Sequence, residues 1–135
     1  MVKIKSLIIF AALQGCLSIC LFGCKPATSR DVCGSYFADY GQASEKLILN
    51  NDGTYSQEVK VKTNKKPDKV KGTWDYDPKS GYVTFNENFL MVLDEFQQVN
   101  PQYARPEKGL VGLPVENWFG HISIGVSKGV IYEKK

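Results

Sequence analysis

Residues 54–62 alternate without a break. Tyr55, Gln57, Val59 and Val61 fall on one face of an extended chain, and Thr54, Ser56, Glu58, Lys60 and Lys62 on the other. A period of two is the signature of a half-buried β-strand. Residues 69–76 repeat the pattern, with Val70, Trp74 and Tyr76 opposite Lys69, Lys71, Thr73 and Asp75. Between the two runs, Thr63-Asn64-Lys65-Lys66-Pro67-Asp68 is a polar turn whose backbone Pro67 restricts. Upstream, residues 33–38 form a short aromatic strand, and residues 45–50 place Leu47 and Leu49 on one side. Asn50-Asn51-Asp52-Gly53 then supplies side chains that tolerate positive φ, a hairpin signal. Asp77-Pro78-Lys79-Ser80-Gly81 turns the chain into a strand at 82–85. Connections this short make consecutive strands neighbours in a meander.

The second half is less regular. In residues 86–99, Phe89, Val92, Leu93 and Phe96 recur at helical spacing, with Asn86 or Asn88 placed to cap the start. This predicts a short helix near residues 88–98, with a buried strand as the alternative. Residues 100–106 read as loop. Further strands are expected at 115–119, 121–126 and 130–134, the last two joined through Ser127-Lys128-Gly129. The expected fold is all-β: a small antiparallel barrel or sandwich with one short helix at most. Gly34-Ser35-Tyr36 and Gly72-Thr73-Trp74 each set a glycine, a hydroxyl and an aromatic in a row. The Gly-x-Trp element loosely resembles that of lipocalin-like barrels. This chain departs from them in being short and in carrying the tryptophan on a third or fourth strand, so no ligand residues carry over.

The N-terminus follows a different rule. Lys3 and Lys5 precede an uncharged apolar run from Leu7 to Phe22, which ends in Leu21-Phe22-Gly23-Cys24 and then in the polar Lys25-Pro26-Ala27-Thr28-Ser29-Arg30. Charge, apolar run and small-residue site in that order make an export signal. The run of about 16 residues falls short of the ~20 a permanent membrane helix needs. The tetrapeptide resembles the lipobox of bacterial prolipoproteins, with Phe22 bulkier than the usual Ala or Ser. That resemblance implies cleavage between Gly23 and Cys24 and a diacylglyceryl thioether on Cys24. Leu13-Gln14-Gly15-Cys16 and Leu17-Ser18-Ile19-Cys20 are poorer matches. The former follows too short an apolar run, and the latter has Ile before its cysteine. The organisation expected is therefore a signal at 1–23, a lipidated tether at 24–32 and one β-rich domain at 33–135. Since Lys25 is not acidic, the resemblance further implies the outer membrane in a Gram-negative cell.

Charge and cysteine count narrow the function. With Lys3 and Lys5 removed, 15 basic residues face 14 acidic ones, a net charge of +1 that gives no electrostatic case for nucleic acid. Cys16 and Cys20 leave with the signal and Cys24 carries lipid, so Cys33 stands alone, read as a small buried hydrophobe rather than a reactive thiol. His121 is the only histidine, and a transition-metal site usually needs several such ligands. Asp94 and Glu95 are adjacent and point apart on either a helix or a strand, so they cannot flank one bond. No catalytic, cofactor or metal site is expected.

Two clusters are left as candidate partner contacts. Six lysines lie between Lys60 and Lys71. Lys65 and Lys66 at the centre of the turn suit anionic headgroups or envelope polymer, although outward charge at a hairpin tip also prevents edge-to-edge pairing. Trp118 and Phe119 are consecutive, so in an extended strand one points inward and the other is left for a partner. Together these features predict a membrane-anchored envelope module that binds rather than catalyses. The alternatives are an inhibitor or immunity-type protein acting through the Trp118–Phe119 loop, and a carrier of a small apolar ligand inside the barrel.

Overall fold

The computed structural model describes residues 26–93, 98–99, 103, 110–125 and 131–135. Eight antiparallel strands close into a barrel: β1 (Gly34–Asp39), β2 (Ala43–Leu49), β3 (Thr54–Val61), β4 (Asp68–Asp77), β5 (Tyr82–Asn86), β6 (Leu110–Trp118), β7 (His121–Gly125) and β8 (Ile131–Lys134). Each strand pairs with its neighbour in sequence, and β8 returns to β1 through Tyr36↔Lys134 and Phe37↔Glu133. Closure gives every strand a ladder neighbour on each side, which settles barrel over sandwich.

The alternation read from the sequence holds. In β3, Tyr55, Gln57, Val59 and Val61 are all buried, and in β4 Val70, Trp74 and Tyr76 are. β6 begins earlier than its pattern suggested. Val111 and Leu113 face inward between an exposed Gly112 and a half-buried Pro114, and the glycine and proline mask the period. Pro114 pairs with Tyr82 of β5, while the ladder to β7 starts only at Val115↔Ile124. A missing N–H is tolerated where the ladder on that side has ended.

The helix expected near 88–98 is not formed over 88–93; residues 94–97 lie outside the described set. Glu87 and Asn88 instead take positive φ (61° and 58°), turning the chain off β5 and into the barrel. Phe89, Leu90 and Val92 are buried there, and Leu93 bridges antiparallel to Val99. Aromatic packing explains why the apolar spacing did not make a helix. Phe89 stacks on Phe85 with centroids 4.5 Å apart, and Tyr55 meets Phe85 edge-on at 5.2 Å. Gly72 makes room for the turn: a Cβ there would sit 2.7 Å from Tyr55 Cε1 and 2.9 Å from the Glu87 carbonyl oxygen. The segment is a plug for one mouth of the barrel.

The other mouth is closed by α1 (Ser29–Val32), the only helix among the described residues. Thr28 caps it in a capping box with Asp31, and Ala27 and Val32 join the core. The Tyr36 hydroxyl donates to the Val32 carbonyl and Lys134 Nζ to that of Asp31, fixing α1 on the barrel rim. Part of the segment read as tether is thus built into the domain.

Candidate functional site

Up-and-down order assigns every feature to one of two ends. β1 leaves α1 through Cys33, so the turns β2–β3, β4–β5 and β6–β7 lie at the α1 end. The turns β1–β2 and β3–β4 lie at the opposite end. The two candidate contacts are thereby separated. Trp118 and Phe119 sit at the α1 end, and Lys65 and Lys66, both exposed, sit at the far end.

Neither aromatic points inward, contrary to the expectation for one of them. Trp118 is 68% exposed and Phe119 fully so. The reason lies in the turn. Trp118 pairs with His121, leaving Phe119 and Gly120 as a two-residue loop with φ of 51° and 88°. Positive φ at both central residues marks a type I′ turn, which matches the twist of the flanking strands and favours Asn-Gly. Phe119 therefore occupies a position that bulky side chains rarely adopt. The Gly120 amide donates to Asn117 Oδ1 at 3.0 Å and closes the loop. Val115, Glu116, Asn117 and Trp118 continue past Pro114, the last β6 rung shared with β5. Among the described residues the tip has β7 as its only ladder partner there.

A second cluster lies inside the barrel, beneath the plug. Glu45 and Gln57 are its buried polar residues, 2% and 1% exposed. Glu45 Oε1 accepts from the Tyr40 hydroxyl, and Oε2 from the Tyr132 hydroxyl and from Gln57 Nε2 at 2.7 Å. Burial pushes the Glu45 carboxyl above the usual carboxylate range, against the pull of those three donors. Burial and the neighbouring carboxylate hold Tyr132 and Tyr40 well above the ordinary phenol value. Among the described residues no buried side-chain polar atom lacks a partner. Sequence reasoning put Gln57 inward but did not single out Glu45. The signal was present, because Glu45 shares a strand face with Leu47 and Leu49.

Tyr36, Tyr55, Phe85, Phe89, Leu47 and Ile124 are the largest apolar side chains fully buried in the barrel among the described residues. An eight-stranded barrel is just wide enough to be filled by side chains or to hold one small ligand. Outside, an open cleft of about 560 Å³ runs between α1 and the β2–β3 turn, lined by Arg30, Cys33, Asn51, Gly53 and Trp74 among others. Cys33 is half-buried and unpaired in a disulfide, and burial raises its thiol. It packs against the core, as a small hydrophobe would. His121 is exposed beside the β6–β7 tip. Gly23, Cys24, Asp94 and Glu95 lie outside the described residues. Among the described residues no group of three His, Cys, Asp or Glu could hold a metal ion.

The fold and its interior define an all-β, eight-stranded up-and-down barrel around a hydrophobic core. No family model, curated protein or solved structure matches the chain.

Proposed function

We propose that the protein is a bacterial envelope lipoprotein, held to a membrane by lipid on Cys24, whose barrel is a binding module rather than an enzyme. The opposition of the two ends carries this reading. The described chain starts at Pro26 on the α1 side, two residues after Cys24. Two extended residues span at most about 7 Å, so an acylated Cys24 keeps the α1 end at the membrane. Lys65 and Lys66 then face outward, where anionic envelope polymer would meet them. The outer membrane is the expected address in a Gram-negative cell, since Lys25 gives no acidic retention signal. The buried carboxylate supports a non-catalytic role, because its hydrogen bonds go to Tyr40, Gln57 and Tyr132 and hold the core together. The large side chains buried inside the barrel, Tyr36, Tyr55, Phe85 and Phe89 among them, lend less support to a carrier of apolar ligand.

Mass spectrometry of the native N-terminus with metabolic fatty-acid labelling tests the anchor. The expected product begins at Cys24 and carries label that Cys24→Ser abolishes. A product beginning at Met1, or one with an unmodified Cys24, overturns it. For the outward face, Lys65→Glu with Lys66→Glu is expected to remove salt-sensitive binding to an anionic envelope polymer such as lipopolysaccharide. Equal binding by the variant removes this surface from the proposal.

The exposure of Trp118 and Phe119 also favours the inhibitor-type reading, in which that tip meets an enzyme. Trp118→Ala that stays folded but loses a defined enzyme partner would support it.

A further inference from the structure

We infer that the β6–β7 tip, Trp118 and Phe119, inserts into the interface of the same phospholipid bilayer that holds the acyl chains of Cys24. This rests on the lipid-anchor reading above and extends it to a second, apolar attachment point in the folded domain. Three independent observations converge on it.

Position is the first. The tip lies at the α1 end of the barrel, where the chain enters from Cys24. Only Lys25 separates Cys24 from the described Pro26, so whatever lies beyond this end within the tether's reach is the anchoring bilayer. Tyr82 begins β5 at the same end and is 47% exposed. Trp and Tyr are the side chains that favour headgroup depth, because each has an apolar body and a polar handle.

Chemistry of the turn is the second. A type I′ loop is most stable with Asn or Gly at its first position, yet this one holds Phe119 at φ 51° with its ring in solvent. The ring contributes no core packing in return. A bulky apolar side chain held in an unfavourable backbone conformation points to a contact made outside the domain.

Charge is the third. At this end Arg30, Lys79, Lys134 and Lys135 are offset by Asp31, Asp52, Asp77 and Glu116, giving no single-sign field for anionic lipid. The attachment is therefore apolar and does not need anionic headgroups. Since two acyl chains already hold durably, what the tip adds is a second point that fixes how the barrel is oriented on the bilayer.

The test uses the mature, lipidated protein reconstituted into phosphatidylcholine vesicles, with and without brominated acyl chains. The difference between native protein and Trp118→Phe isolates the Trp118 emission without disturbing Trp74, which is buried. Reconstitution should shift that emission to the blue. Brominated lipid should quench most of it, and high salt should not restore it. Trp118→Phe should show little quenching, and Phe119→Asn, which suits the turn, should lessen the blue shift. Water-like, unquenched Trp118 emission in protein whose mass shows lipid on Cys24 overturns the inference and leaves the anchor standing. So does a tip that is unquenched and crosslinks to a protein instead. A mass lacking lipid on Cys24 overturns the anchor, and this inference falls with it.

Discussion

The side chain of Gln57 holds both backbone polar groups of Leu90. Its Oε1 accepts from the Leu90 amide at 2.8 Å, and its Nε2 donates to the Leu90 carbonyl at 3.1 Å. One primary amide thus does for the plug what a rung of ladder would do for a strand. The same Nε2 reaches Glu45 Oε2, so the plug and the interior carboxylate depend on a single residue of β3. Gln57→Leu keeps the bulk and removes all three bonds, leaving a buried amide, carbonyl and carboxylate short of partners. At about 1–3 kcal/mol for an unsatisfied buried group, the expected loss is about 3 kcal/mol. Hydrogen exchange at Leu90 should accelerate more than exchange at Val59, which lies in the β2–β3 ladder.

Glu45 makes stability depend on pH. Its folded-state value lies above the ordinary carboxylate one because burial disfavours the charge. Below about pH 4.3, the unfolded value, the group is protonated in both states and has no effect. As pH rises through the interval up to the folded value, the unfolded state releases its proton first and stability falls. Glu45→Gln removes the titration. Denaturation midpoints measured from pH 4 to pH 8 should decline more steeply for the native protein than for the variant. Parallel curves would mean that Glu45 is ionised in the fold without penalty.

Gly72 is needed for space rather than for backbone freedom. A Cβ there would press on the Tyr55 ring and on the carbonyls of Asn86 and Glu87, where the chain leaves β5. Backbone on two sides leaves little to yield, and overpacking of this kind costs about 1–3 kcal/mol. Gly72→Ala should lower the midpoint of thermal unfolding. The near-ultraviolet signal of Tyr55, Phe85 and Phe89 should change with it. Gly41 and Gly81 have nothing within 4 Å of an added Cβ, but both have positive φ, so alanine there reports strain alone.

Phe119→Asn should stabilise the protein. The loop conformation stays the same, the residue suits it, and the ring gives up no buried contact. The expected gain is about 1 kcal/mol from relief of strain, read from urea denaturation. A loss of stability would show that the ring packs on the barrel in solution.

Much of the fold was legible because strands report themselves through a period of two. β3 and β4 carry that period over long runs, and the turns around Gly53, Pro67 and Gly81 separate them clearly. The plug misled for a physical reason. Phe89, Val92 and Leu93 satisfy helical spacing, but an apolar stripe says only that a segment is buried, not in what conformation. Aromatic partners on β3 and β5 and the space beside Gly72 chose a non-helical path instead. Trp118 and Phe119 were recognised as a pair, yet their common exposure depended on a turn at Phe119–Gly120 that strand alternation does not describe.

The chain by itself determined that this is a β protein, because the alternation of apolar and polar positions is a local property. It also determined which faces of β3 and β4 are apolar. Tertiary structure alone decided which features share an end of the barrel, since that follows from how many strands lie between them and from ring closure. It set Trp118 at the α1 end and Lys65 opposite, and it brought Glu45, Gln57 and Tyr132 together from three strands. Separation along the chain carries no information about such meetings; only the closed hydrogen-bond ladder does.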